Sequence, residues 1–133
     1  MRLNSQVPLL EIYVLGHESQ LYRLVSNLIA NAIQYTPSGG EVILSLEFDD
    51  RLALIKVKDT GIGISPEQQK YIFERFYRVD SDHSRKTGGT GLGLAIARAT
   101  VHQHQGQLSL QSEIDRGSLF TVQLPRIQRS LKC

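Results

Sequence analysis

Gly88-Gly89-Thr90-Gly91-Leu92-Gly93-Leu94 places four glycines within six residues and runs straight into an apolar helical pattern. Without Cβ atoms such a backbone takes positive φ and approaches a ligand closely, and the free N–H groups of the following helix start favour an anion. The run is read as a phosphate cradle, with a glycine hinge before an ordinary helix as the other reading. Spacing excludes two nucleotide folds. No G-x-G-x-x-G follows a strand, and G-x-x-x-x-G-K-[ST] occurs nowhere.

Downstream of the glycines, Leu92, Ala95, Ile96 and Ala99 lie on one side of a helix that ends near Gly106. Gln107–Ser112 and Ser118–Leu124 follow as strands, the second alternating Phe120, Val122 and Leu124, with a hairpin turn at Asp115-Arg116-Gly117. Upstream lies a polar segment, Asp80–Gly91, preceded by the aromatic run Phe73-Glu74-Arg75-Phe76-Tyr77-Arg78. Before that, Asp59-Thr60-Gly61-Ile62-Gly63-Ile64-Ser65-Pro66 forms a loop closing on a short helix to about Tyr71. Ser65 is its cap, Pro66 fits its first turn, and Glu67 suits its positive end.

The first half of the chain alternates in the same way. Pro8–Leu15 reads as a short strand. From Ser19 a period of 3.6 sets Leu21, Leu24, Val25, Leu28, Ile29, Ala32 and Ile33 on one stripe of a helix, until Thr36-Pro37-Ser38-Gly39-Gly40 stops it. Glu41–Phe48 and Leu52–Lys58 are strands with Val42, Leu44, Leu46 and Phe48, and Ala53, Ile55 and Val57, on one face of each; Asp49-Asp50 turns between them. The order β-α-β-β-α-α-β-β is α+β: a two-layer sandwich in which a mixed, mostly antiparallel sheet is backed by helices on one face.

A chain of 133 residues with 41% hydrophobic and 21% charged side chains is one ordered domain, 1–133, with a core over about 8–125 and a tail at 126–133. A net charge of +2 does not call for nucleic acid, and its basic residues gather instead beside the glycines, at Arg75, Arg78, Arg85 and Lys86. The single cysteine, Cys133, allows no disulfide within the chain, and no apolar segment approaches the roughly 18–20 residues of a membrane span. The expectation is a cytoplasmic domain without membrane contact.

Two constellations carry chemistry. Asn27 and Asn31 stand four residues apart on the first helix with Tyr35 four beyond; the amides could hold a metal-bound phosphate and its waters, or simply face solvent. Asp59, at a strand end and followed by Gly61 and Gly63, could accept from an exocyclic amine such as that of adenine, or could be an ordinary Asp-x-Gly turn.

In order and spacing, Asn27-Leu28-Ile29-Ala30-Asn31-Ala32, Asp59-Thr60-Gly61-Ile62-Gly63, Phe73-Glu74-Arg75-Phe76-Tyr77-Arg78 and Gly89-Thr90-Gly91-Leu92-Gly93-Leu94 resemble the N, G1, F and G2 boxes of sensor histidine kinases. The resemblance runs from about Ile12 to Leu124 and includes a closing turn at Gly117-Ser118-Leu119-Phe120. It implies the Bergerat, or GHKL, ATP-binding fold with a lid over the nucleotide. By position, Asn31 is implied as the protein ligand of Mg²⁺, Asn27 as a phosphate or water ligand, Tyr35 as a stacking partner of adenine, and Asp59 as acceptor of its amino group. Gly61 and Gly63 would let the base lie against backbone, with Ile64 beside them. Gly89, Thr90, Gly91, Leu92 and Gly93 would wrap the phosphates, and Arg78 with Arg85 or Lys86 would face the γ-phosphate. Phe73 and Phe76 would seat the lid, and Tyr77 would line the site. Asn27, Asn31 and Arg78 are thereby the implied catalytic residues. Gln34 departs from the lysine common in the family, and His17 from an acidic residue.

No H-[ED]-x-x-[TN]-P pattern surrounds His17, His83, His102 or His104, and each reads as a surface residue. The resemblance therefore implies the ATP-binding part of a longer kinase, itself monomeric. It would bind ATP or ADP and transfer the γ-phosphate to a histidine on a separate dimerisation and phosphotransfer domain, with a response regulator downstream. Two other readings remain open: a nucleotide-sensing interaction module without transfer, and a GHKL protein-serine kinase of the anti-sigma type.

Overall fold

The computed structural model describes residues 2–6, 13–14, 18–74 and 93–127. Six strands and three helices follow in the order β1 (Arg2–Gln6), β2 (Tyr13–Val14), α1 (Glu18–Gln34), β3 (Glu41–Phe48), β4 (Leu52–Asp59), α2 (Pro66–Gln69), α3 (Gly93–Gln103), β5 (Gln107–Glu113) and β6 (Gly117–Ile127) among the described residues. The sheet runs β1-β3-β4-β6, and β6 also pairs with β5 and, at its far end, with β2. β1 lies parallel to β3 and the other pairs are antiparallel, so the sheet is mixed as expected.

The sheet extends beyond the expected core at both ends. Arg2–Gln6 forms a strand where the sequence offered no alternating apolar signal, recruited by the edge of β3. β6 continues to Ile127, where the Arg126 guanidinium stacks 4.6 Å over the Phe48 ring and donates to the Asp49 carbonyl at 2.8 Å. Of the strand read over 8–15, Tyr13 and Val14 are described and pair with β6; its other residues lie outside the described set.

One face of the sheet carries the core. Register sets Val42 and Leu44 of β3, Ile55 and Val57 of β4, and Phe120 and Val122 of β6 on that face. Leu24, Leu28 and Ala32 of α1 and Ala97 and Val101 of α3 cover it. Both helices therefore lie on the same side, and Ala32 and Ala97, fully buried, let α1 and α3 pack side by side. The opposite face is mixed, with Ile43, Leu54 and Leu119 among polar residues, and Lys56 is held 3.0 Å from Glu47.

Two helix stripes differ from their sequence reading. Ile33, placed on the α1 stripe, is 41% exposed, because the helix meets the sheet through the 24-28-32 row. On α3 the buried residues are Ala97, Thr100 and Val101, whereas Ile96 is 42% exposed and Ala99 is exposed as well. The expected 92-95-96-99 face followed the bulk of Ile96; packing against α1 selects the smaller residue instead. Leu92 lies outside the described residues.

Turns follow their local chemistry. Asp49 Oδ1 accepts from the Arg51 and Leu52 amides, both at 2.7 Å, which closes the β3–β4 hairpin. Ser65 caps α2 by accepting from the Gln68 amide at 3.3 Å.

Candidate functional site

Asp59 is the last residue of β4, 2% exposed, and its Oδ1 accepts from the Gly61 amide at 2.9 Å and the Ser118 amide at 3.3 Å. Among the described residues no cation pairs with it. Burial pushes its pKa above the usual carboxylate value, and the two backbone hydrogen bonds pull against that rise. A buried carboxylate supported, among the described residues, by backbone amides alone is expensive to keep, which makes Asp59 a candidate for a functional role.

The loop after Asp59 is clamped on both sides by protein backbone. Ile62 N donates to the Tyr35 carbonyl at 3.1 Å, and Asp115 N donates to the Ile62 carbonyl at 2.9 Å. The glycines make these approaches feasible. A Cβ on Gly61 would stand 2.1 Å from the Tyr35 carbonyl oxygen, and one on Gly63, whose φ is +75°, would stand 2.0 Å from that of Glu113. The backbone that presses on Gly61 and Gly63 in this structure is therefore the protein's own, from the end of α1 and from the β5–β6 hairpin.

Beyond Gly63 the clamp becomes polar. Ile64, buried, donates its N–H to Ser112 Oγ at 2.8 Å, and Gln69 Nε2 donates to the Ile64 carbonyl at 2.8 Å. Ser112 Oγ lies 2.8 Å from Ser118 Oγ. Asp59, Ser118 and Ser112 stand opposite one another across β4, β6 and β5, on the core face. A cleft of about 400 Å³ touches these positions but is lined as well by Lys58, Gln111 and Leu119, which register sets on the opposite face, and by none of Asn27, Asn31, Tyr35 or Ile64. Sequence reasoning missed Ser112 and Ser118. Their signal was present in the alternation of β5 and β6, which puts both in register with Asp59, but pairing partners are not legible before the strands are aligned.

Asn27 and Asn31 are half-buried on α1, and neither amide has a hydrogen-bond partner among the described residues. Tyr35 follows one turn later; its ring packs against the core and its carbonyl receives the loop. Phe73 is half-buried, edge-on to Phe120 at 6.3 Å, with the Arg98 guanidinium 5.6 Å over its ring. That ring is thus part of the core in addition to any role toward the glycine run. Gly93 opens α3, and a Cβ there would meet no atom of the described residues within 4 Å. Tyr77, Arg78, Arg85, Lys86, Gly89, Thr90, Gly91 and Leu92, with Phe76 and His83, lie outside the described residues.

Among the described residues no group of three His, Cys, Asp or Glu could hold a metal ion. Among the described residues the candidate donor set is the pair of α1 amides. Hard carboxamide oxygens without other partners among the described residues fit Mg²⁺, which keeps few protein ligands and takes phosphate oxygens and water for the rest.

His104 corrects its reading as a surface residue. It is 8% exposed, with Nδ1 2.7 Å from the Thr100 carbonyl, because the turn after α3 folds its ring inward; His102 is exposed. No described helix is long and apolar enough to cross a membrane.

Residues 16–128 match the model of the family described as histidine kinase-, DNA gyrase B-, and HSP90-like ATPase. The chain is 61% identical over 123 residues to the sensor histidine kinase RppB of Synechocystis, covering 92% of this chain and 27% of that protein. It is 46% identical over 112 residues to the sensor-like histidine kinase SenX3 of Mycolicibacterium smegmatis, covering 84% and 29%. The chain thus spans under a third of the length of these relatives. Among solved structures, the mycobacterial sensor histidine kinase MprB superposes with a TM-score of 0.80 at 33% identity, covering 93% of this chain and 84% of that one. Full-length ShkA in complex with AMPPNP superposes with a TM-score of 0.81 at 26% identity, covering 99% and 27%.

Proposed function

The chain belongs to the histidine kinase-, DNA gyrase B-, and HSP90-like ATPase family, as the ATP-binding catalytic domain of a sensor histidine kinase, and we propose that it presents Mg²⁺-ATP to a histidine on a separate dimerisation and phosphotransfer domain. The observation that carries this reading is Asp59, a buried carboxylate held ready on two backbone amides with no cation beside it among the described residues. Such a group accepts from a ligand amine, and the 6-amino group of adenine supplies one.

At the other end of the site Asn31 would hold Mg²⁺ together with the phosphates, and Asn27 would orient the phosphates or their water. The ion, when bound, neutralises charge on the transferring group. Arg78, Lys86 and the amides of Gly89–Gly93 are proposed to complete the phosphate contacts, with Tyr35, Ile64, Phe73 and Tyr77 around the base and lid. The protein would contribute positioning and charge rather than covalent chemistry. In the transfer, the bond from the γ-phosphorus to the β,γ-bridging oxygen breaks, a bond from phosphorus to imidazole nitrogen forms, ADP leaves, and the phosphohistidine serves a response regulator.

The test pairs two measurements. Calorimetry of the chain with ATP, with and without Mg²⁺, should show binding that tightens with the ion. Mixing the chain with a matching phosphotransfer domain and labelled ATP should then yield acid-labile phosphohistidine. Binding without transfer would replace the kinase reading by that of a nucleotide-sensing module, and no binding would overturn both.

A further inference from the structure

We propose that Ser112 is a positioning residue for the base end of the site: its hydroxyl commits the proton of Ser118, so that Asp59 and Ser118 present acceptors only and select a 6-amino over a 6-oxo purine. This role rests on the nucleotide reading and names what sets its base specificity.

The argument is a count of protons. Ser112 Oγ accepts from Ile64 N–H at 2.8 Å and stands 3.0 Å from the Gly117 carbonyl, which can only accept, and 2.8 Å from Ser118 Oγ. A hydroxyl has one proton and two lone pairs. Ser112 gives its proton to Gly117, so the proton in the Ser112–Ser118 contact belongs to Ser118. With that proton committed, Ser118 Oγ has only lone pairs to offer. Its amide meanwhile donates to Asp59 Oδ1 at 3.3 Å, and the residue is only 7% exposed.

The result is a carboxylate and a hydroxyl oxygen in register on adjacent strands, both on the core face of the sheet. A ligand there has to bring donors. A 6-amino purine does so, whereas a 6-oxo purine sets its own lone pairs against them and leaves the buried acceptors unmatched. Removing the Ser112 hydroxyl frees the Ser118 proton to turn toward the ligand and weakens the rejection. The β5 backbone stays held in that variant, because Gln69 Nε2 still donates to the Ser112 carbonyl at 3.3 Å and to that of Ile64.

The test is competition of ATP and inosine triphosphate against a fluorescent ATP analogue on the 133-residue chain with Mg²⁺. Ser112→Ala should lower the ratio of ATP to inosine triphosphate affinity roughly tenfold, the size of one hydrogen bond lost or gained. Ser112→Thr, which keeps the hydroxyl, should restore it. Ser118→Ala should lower the ratio as well, and adding Ser112→Ala to it should change the ratio no further, since the first residue acts through the second. An unchanged ratio in Ser112→Ala, an equal loss for both nucleotides, or a further fall in the double variant would overturn the role of Ser112 while leaving nucleotide binding intact. A wild-type chain that binds no ATP would overturn the nucleotide reading and this role with it.

Discussion

The two ends of the proposed site are built on opposite plans. At the Asp59 end every polar group is fastened before a ligand arrives: the carboxylate on the Gly61 and Ser118 amides, and the loop on the Tyr35 carbonyl and the Ser112 hydroxyl. At the α1 end Asn27 and Asn31 hang from a finished helix with no partner among the described residues. Base recognition needs fixed acceptors, because a misplaced carboxylate would not discriminate. Holding an ion and phosphates needs donors that can follow the ligand. On the proposed reading, rigid preorganisation is concentrated at the end that would set specificity.

The sharpest way to break this contrast is Asp59→Asn. The amide oxygen can still accept from the Gly61 and Ser118 amides, but its NH₂ would oppose the adenine amine, so ATP affinity should fall about 100-fold or more, roughly 3 kcal/mol. Stability should hold or rise, because burial raises the pKa of Asp59 and its charge weighs against the fold. The pH dependence has a defined sign. The folded state binds the Asp59 proton more tightly than the unfolded chain, so this group loses the fold stability as pH rises through the window above the usual 3.8, and regains it on acidification. ATP binding should move the other way, weakening as pH falls through that window. Calorimetric titrations and thermal melts across pH read both, and a variant that binds ATP normally would remove Asp59 from the site.

Gly63→Ala tests the clamp rather than the ligand contact. Its φ of +75° and the Glu113 carbonyl 2.0 Å from the added Cβ should lower stability by about 2 kcal/mol or more. Denaturant unfolding that moved by only a few tenths would show the loop to be looser than its contacts indicate.

Much of the fold was legible because its signals are local. Alternation in 41–48, 52–58 and 118–124 placed the core strands, and Ser65 and Asp49 announced a cap and a turn that formed. β1 was not, since Arg2–Gln6 has no pattern of its own and is ordered by pairing to β3. The α3 face was misread because bulk favoured Ile96, whereas close approach to α1 favours Ala97. At the site, Asp59, Asn27 and Asn31 stood out as residue types at telling spacings. Ser112 and Ser118 did not, because their meaning lies in which strands neighbour β6. His104 looked like any histidine near a helix end until the turn after α3 folded its ring inward.

The mildest perturbation falls on the α1 end and reads the other half of the contrast. Asn31→Ala removes a half-buried amide without a partner among the described residues and replaces a mediocre helix former by the best one, so it should stabilise α1 by about 0.5 kcal/mol. If Asn31 holds the ion, the same variant should lose the Mg²⁺-dependent tightening of ATP binding, roughly tenfold, and keep its Mg²⁺-free affinity, which comes from the Asp59 end. Stability that rises while metal-dependent affinity falls is the signature of a residue placed for its ligand. Stability that falls, with Mg²⁺-ATP affinity unchanged, would make the Asn31 amide a structural group and leave the ion to the residues of the glycine run.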